Sequence, residues 1–159
     1  MVTRMRRYLF IALFFATLGC GQDAFELAPV SGRVTLDGKP VKAARVRFLP
    51  QKQGEGALAG PASIGETDEE GCYTMHTGGD SARPGAVVGK HRVIISTYRT
   101  KRDPQDRSGR KEIVVQKETI PRPYNDMRNS PLLLEVPEEG TDQADFALTH
   151  PDNLKHYYY

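Results

Sequence analysis

The sequence predicts an all-β protein, a single and approximately antiparallel β-sandwich of about seven short strands. Three observations carry this. Fifteen Gly and eleven Pro in 159 residues supply many turns, which suits short strands better than long helices. Apolar and polar residues alternate at several places, the two-residue period of a strand with one buried face. Beyond residue 20, no stretch of useful length carries the helical period. Hydrophobic residues make up 38% and charged residues 26%, so a packed core is available and the composition argues against wholesale disorder. Two Cys exclude a disulfide-dense scaffold and a four-cysteine zinc site. No segment has the roughly 20 apolar residues that a spanning helix needs.

Residues 1–19 have the layout of an export signal. Arg4, Arg6 and Arg7 precede the uncharged run Tyr8 to Leu18, and the small Gly19 stands before Cys20. Thr17-Leu18-Gly19-Cys20 resembles a bacterial lipobox, with Thr17 and Leu18 transposed relative to its best form. The resemblance implies a diacylglyceryl thioether on Cys20, which becomes the acylated N-terminus after cleavage. Two or more acyl chains hold a protein stably at a membrane, since each buried CH₂ contributes about 0.8 kcal/mol. An ordinary cleaved signal and a retained hydrophobic helix are the alternatives. Gly21 lacks the acidic side chain that favours inner-membrane retention, which leans toward the outer membrane. Loss of the three Arg turns the formal net charge from +2 to −1, and a nucleic-acid partner loses its main support.

Residues 20–29 are expected as a tether, 30–149 as the sandwich and 150–159 as a tail. In Val30 to Leu36, Val30, Gly32, Val34 and Leu36 share one face. Asp37-Gly38 is a hairpin signal because Gly takes positive φ without steric cost. Pro40 lacks a donor and should open the returning strand at an edge. Ala44, Val46 and Phe48 then face inward, with Arg45 and Arg47 outward. Residues 50–58 form a loop, 59–67 a weak strand, Asp68 to Gly71 a tight turn, and Gly71 to Met75 a strand with Tyr73 and Met75 inward. Residues 77–89 are a Gly-rich loop. Lys90 to Tyr98, centred on Val93-Ile94-Ile95, is the clearest strand, and its unbroken apolarity predicts a central place in a sheet. Residues 100–110 are a polar loop, Ile113 to Val115 a short run able to pair, and Pro121 to Asp126 a rigid turn. Leu132 to Val136 and Ala144 to Leu148 close the fold. The expected core is Val34, Val46, Phe48, Tyr73, Ile94, Leu134 and Phe146.

Four segments in order, 32–41, 44–48, 67–73 and 89–95, resemble the carboxypeptidase regulatory-like, or transthyretin-like, β-sandwich. Ile120 to Asp126, Ser130 to Leu132, Glu135-Val136 and Asp145 to Leu148 are similar to the C-terminal half of the small lipoproteins of planctomycete-type bacteria. The likeness covers about residues 30–148. It implies an accessory domain of transthyretin-like or immunoglobulin-like build, with no catalytic residues and no cofactor. Cys72 and His91 stand where that family usually has a plain strand residue or Tyr.

Residue chemistry offers few candidate sites. Residues 98–112 hold six basic groups, Arg99, Lys101, Arg102, Arg107, Arg110 and Lys111, against Asp103, Asp106 and Glu112. They are the candidate binding residues, able to touch lipid headgroups or cell-wall polymer, against the plainer reading of a solvated loop. His76, His91 and Cys72 could meet as soft metal ligands, and Asp68, Glu69 and Glu70 could approach a hard cation. In both cases ordinary strand-end and turn residues are the favoured explanation. Gly85 to His91 superficially resembles a phosphate loop, but is one residue short between its glycines and lacks the Ser or Thr. Tyr157 to Tyr159 could stack on sugars or protein. No HExxH, GxSxG or CxxC occurs. These readings converge on a lipid-anchored envelope module with a non-catalytic binding or structural role. Its partners would be the membrane, through Cys20, and envelope proteins or cell-wall polymer. A metal-dependent envelope hydrolase and a self-assembling surface protein are the rivals.

Overall fold

The computed structural model describes residues 25–52, 59–79 and 81–150. The export signal, Cys20 and the tail from residue 151 lie outside them. Among the described residues the chain is all-β, and no helix long and apolar enough to cross a membrane occurs.

Thirteen short strands are found among the described residues, where about seven were expected. Turns divide the longer runs, and two segments expected as loops pair. The strands are β1 (Leu27–Ala28), β2 (Ser31–Leu36), β3 (Lys39–Pro40), β4 (Arg45–Pro50), β5 (Ser63–Glu66), β6 (Cys72–Thr74) and β7 (His76–Thr77). They continue with β8 (Ala86–Val87), β9 (Gly89–Ser96), β10 (Arg99–Arg102), β11 (Glu112–Gln116), β12 (Leu133–Val136) and β13 (Phe146–Leu148). A five-stranded sheet runs β12-β9-β4-β5-β7, and a second sheet has β2 at its centre, flanked by β13 on one side and by β3 and β6. The pairs β1–β8 and β10–β11 form separate two-stranded sheets. Most pairing is antiparallel, but β13 lies parallel to β2, with Phe146 opposite Val34 and Leu148 opposite Leu36.

The two larger sheets share one core. Phe48 of β4 sits edge-on to Tyr73 of β6 (centroids 6.4 Å apart) and to Phe146 of β13 (6.3 Å). Val34, Val46, Val93, Ile95 and Leu148 are buried around them. Leu134 is only partly buried at the rim. Ile94 was expected in this core, but the alternation on β9 places it on the other face. Val93 and Ile95 pair with Phe48 and Val46 inside, whereas Ile94 is buried opposite Arg47. The close approach of the segment before β13 to β2 depends on Gly32, where an added Cβ would run into the Ala144 carbonyl. The Asp37-Gly38 turn joins β2 to β3 as its residue types predict, both central residues having positive φ (49° and 77°).

Strand direction gives the molecule two ends. The start of β9, the end of β4 and the start of β5 lie together, and the opposite termini of these strands lie at the other end. The eight residues of β9 separate the ends by about 25 Å. The chain comes in at the first end. Leu27 and Ala28, expected in the tether, pair with β8, and the Val88 N–H donates to the Glu26 carbonyl at 3.0 Å. At the second end β9 gives way to β10.

Candidate functional site

The basic segment, expected as a loop, is a hairpin. β10 and β11 pair from Arg99 with Gln116 to Arg102 with Glu112, with a bulge after Arg99. It belongs to neither large sheet, and most of its side chains are exposed. No apolar face is buried here, so the sequence shows none of the alternation that reveals a strand. Thr100, Lys101 and Arg102 are all polar because both faces meet water.

Two carboxylates shape the hairpin, and neither stood out in the sequence. Asp106 organises the loop between the strands. Its Oδ2 accepts the backbone N–H groups of Arg110 (3.0 Å) and Lys111 (2.7 Å), and its Oδ1 accepts that of Ser108 (3.0 Å). These N–H groups and the Ser108 hydroxyl pull its carboxyl down to about 2. Asp106-x-Ser-Gly, a short acceptor just before residues of turn type, is the signal that could have found it. Glu118 clamps the base. Its carboxylate accepts the N–H groups of Thr97 (3.0 Å) and Ile120 (2.9 Å) and the Ser96 hydroxyl. Burial works to raise the Glu118 carboxyl, but these donors outweigh it and hold the group below its usual range.

The six candidate basic residues divide into two sets. Arg99 is spent at the base, on Glu66 (2.8 Å) and the Ala43 carbonyl (3.1 Å). Lys111 pairs with Asp103 (2.9 Å). The side chains of Lys101, Arg102, Arg107 and Arg110 are exposed and have no hydrogen bond or ion pair among the described residues. Arg102 lies across from Glu112, whose Oε2 instead accepts the Thr100 hydroxyl at 2.7 Å. Tyr98, Val114 and Val115, all about half exposed, add an apolar patch near the base.

The soft-ligand set is not assembled. His91 is buried and faces the core beside Phe48. His76 is exposed on β7, three strands away and on the opposite face of the sheet. Cys72 lies in the other sheet, opposite Arg33. Asp68 organises its turn, its Oδ1 accepting the N–H groups of Glu70 (3.0 Å) and Cys72 (2.8 Å). No group of three or more His, Cys, Asp or Glu among the described residues is placed to hold a metal. In Gly85 to His91 the Gly85 N–H is given to the Met75 carbonyl and the Val88 N–H to Glu26, so those amides do not face a phosphate. Cys20 and Tyr157 to Tyr159 lie outside the described residues.

Open grooves among the described residues include two that border charged side chains. One, of about 460 Å³, is bordered by Arg33, Glu66, Cys72, Asp142 and Asp145. The other, of about 490 Å³, lies beside the hairpin base and is bordered by Leu36, Asp37, Lys39, Thr97, Gln116 and His150. The His150 ring, 2.6 Å away, holds the Asp37 carboxyl below its usual range.

No protein family model matches the chain, and no curated protein matches it. Among solved structures, a 9R-lipoxygenase from Cyanothece PCC8801 aligns with a TM-score of 0.37 and 10% identity. That alignment covers 94% of this chain and 18% of the lipoxygenase, and it is too loose to bear on fold or function.

Proposed function

We propose that the chain is a lipid-tethered β-sandwich module of the carboxypeptidase regulatory-like, transthyretin-like type, which works by contact at the cell envelope and not by turnover. The observation that carries this reading is the hairpin. Four cationic side chains stand in solvent without partners among the described residues, on an element that contributes almost nothing to the shared core. Exposed ion pairs add little to stability, so a run of exposed and unpaired cations serves stability even less. Such a run is instead the footprint of a surface that meets anions. The dispersal of His76, His91 and Cys72 argues against the particular metal hydrolase that those residues suggested.

The tether is tested by cell fractionation with an acyl label. Wild-type protein should take up the label and stay with membranes, and Cys20→Ala should lose both. An unlabelled wild type together with a membrane-bound Cys20→Ala variant would remove the anchor.

A further inference from the structure

We infer that the β10–β11 hairpin is a polyanion-binding finger, presented at the end of the molecule opposite the one where the chain comes in. In a chain tethered through Cys20 the finger therefore faces away from its own membrane, toward an anionic polymer of the envelope. The facing direction rests on the tether reading above. The finger itself does not.

Glu26 to Ala28 lies beside β8 at the start of β9, and the hairpin leaves from the end of β9. The four residues between Cys20 and Phe25 leave five Cα–Cα steps, at most about 18 Å, which keeps the first end near the bilayer.

Asp106 is turned inward onto backbone N–H groups, and Asp103 is matched by Lys111. The outward surface then carries Lys101, Arg102, Arg107 and Arg110 against one exposed carboxylate, Glu112, which accepts the Thr100 hydroxyl. Guanidinium groups bind carboxylate and phosphate in a two-pronged geometry. All four groups are exposed, so no wall excludes water around a small anion. Several cations on one open hairpin suit a ligand that carries several charges along a chain.

The composition of the tip favours a polymer over a bilayer. Residues 103–111 read Asp-Pro-Gln-Asp-Arg-Ser-Gly-Arg-Lys. A segment that enters the headgroup region carries Trp, Phe or Leu beside its cations, and this tip has none. The apolar patch of Tyr98, Val114 and Val115 sits near the base. Finally, the Asp106 and Glu118 clamps fix the finger in advance, which lowers the ordering cost of binding.

The test uses the full chain carrying Cys20→Ser, with immobilised inorganic polyphosphate and phosphatidylglycerol vesicles as probes. The protein should be held by polyphosphate in a salt-sensitive way. Joint replacement Lys101→Glu, Arg102→Glu, Arg107→Glu and Arg110→Glu should weaken this at least tenfold at an unchanged melting midpoint. If that variant does not fold, the milder pair Arg107→Gln and Arg110→Gln should still weaken capture several-fold. A control outside the hairpin, Lys39→Glu with Lys42→Glu, should stay within twofold. Undiminished capture of a folded hairpin variant overturns the proposal. So does hairpin-dependent binding to the vesicles that exceeds binding to polyphosphate. Acylation is read separately on the wild type, so a bare Cys20 would remove the tether without altering the capture result.

Discussion

At the scale of the residue, His91 couples the core to pH. Its side chain is 1% exposed and packs 5.5 Å from the Phe48 ring. Nε2 lies 2.6 Å from the Val87 carbonyl, so that nitrogen carries the proton of the neutral ring. Nδ1 is buried without a partner. Burial pushes the imidazole below its ordinary value of 6.5, against the smaller pull of the Val87 carbonyl. As pH falls through 6.5, the unfolded chain binds a proton at this position that the folded chain does not. Stability is therefore full above that pH and declines below it, by at most about 1.4 kcal/mol per pH unit. Urea midpoints should fall between pH 6.5 and 5, above the carboxylate range, and His91→Gln should flatten that leg. An equal slope in the variant would show that other groups carry it.

At the scale of the element, the hairpin depends on Glu118. It joins the ends of β9 and β11 through donors from residues 96, 97 and 120, and charge-assisted hydrogen bonds are the stronger kind. Glu118→Gln should lower stability by about 1–2 kcal/mol. It should speed amide exchange at Thr97 and Ile120 while leaving the β4–β9 ladder protected. The reverse pattern of exchange would contradict this role. This element also shows what can be read from sequence and what cannot. The Asp37-Gly38 turn and the central strand β9 were legible because local residue type and burial agree there. β10 was not, since a strand with both faces in water leaves no alternation. The β1–β8 pair was hidden because each partner has only two residues. The parallel contact of β13 with β2 joins residues more than 100 positions apart, which no local pattern records. Of the six basic residues singled out, all fall on or beside the hairpin, but only side-chain geometry separates the two engaged in ion pairs from the four left exposed.

At the scale of the whole molecule, the sheets would act as a spacer in the proposed tethered module. Their shared core around Phe48 fixes β9, and β9 fixes the distance between the incoming chain and the cationic hairpin. The transthyretin-like build proposed above would give such a spacer without any catalytic part. The most direct measurement is energy transfer to an acceptor-labelled bilayer from the acylated protein, with Cys72→Ser to remove the competing thiol. A donor would be placed either at Glu26→Cys, beside the incoming chain, or at Gln105→Cys, at the hairpin tip. Both positions are exposed, and the strand length alone sets them about 25 Å apart. We expect strong transfer from position 26 and weak transfer from position 105. Equal transfer from the two, or stronger transfer from position 105, would contradict a molecule moored at one end and making contact with the other.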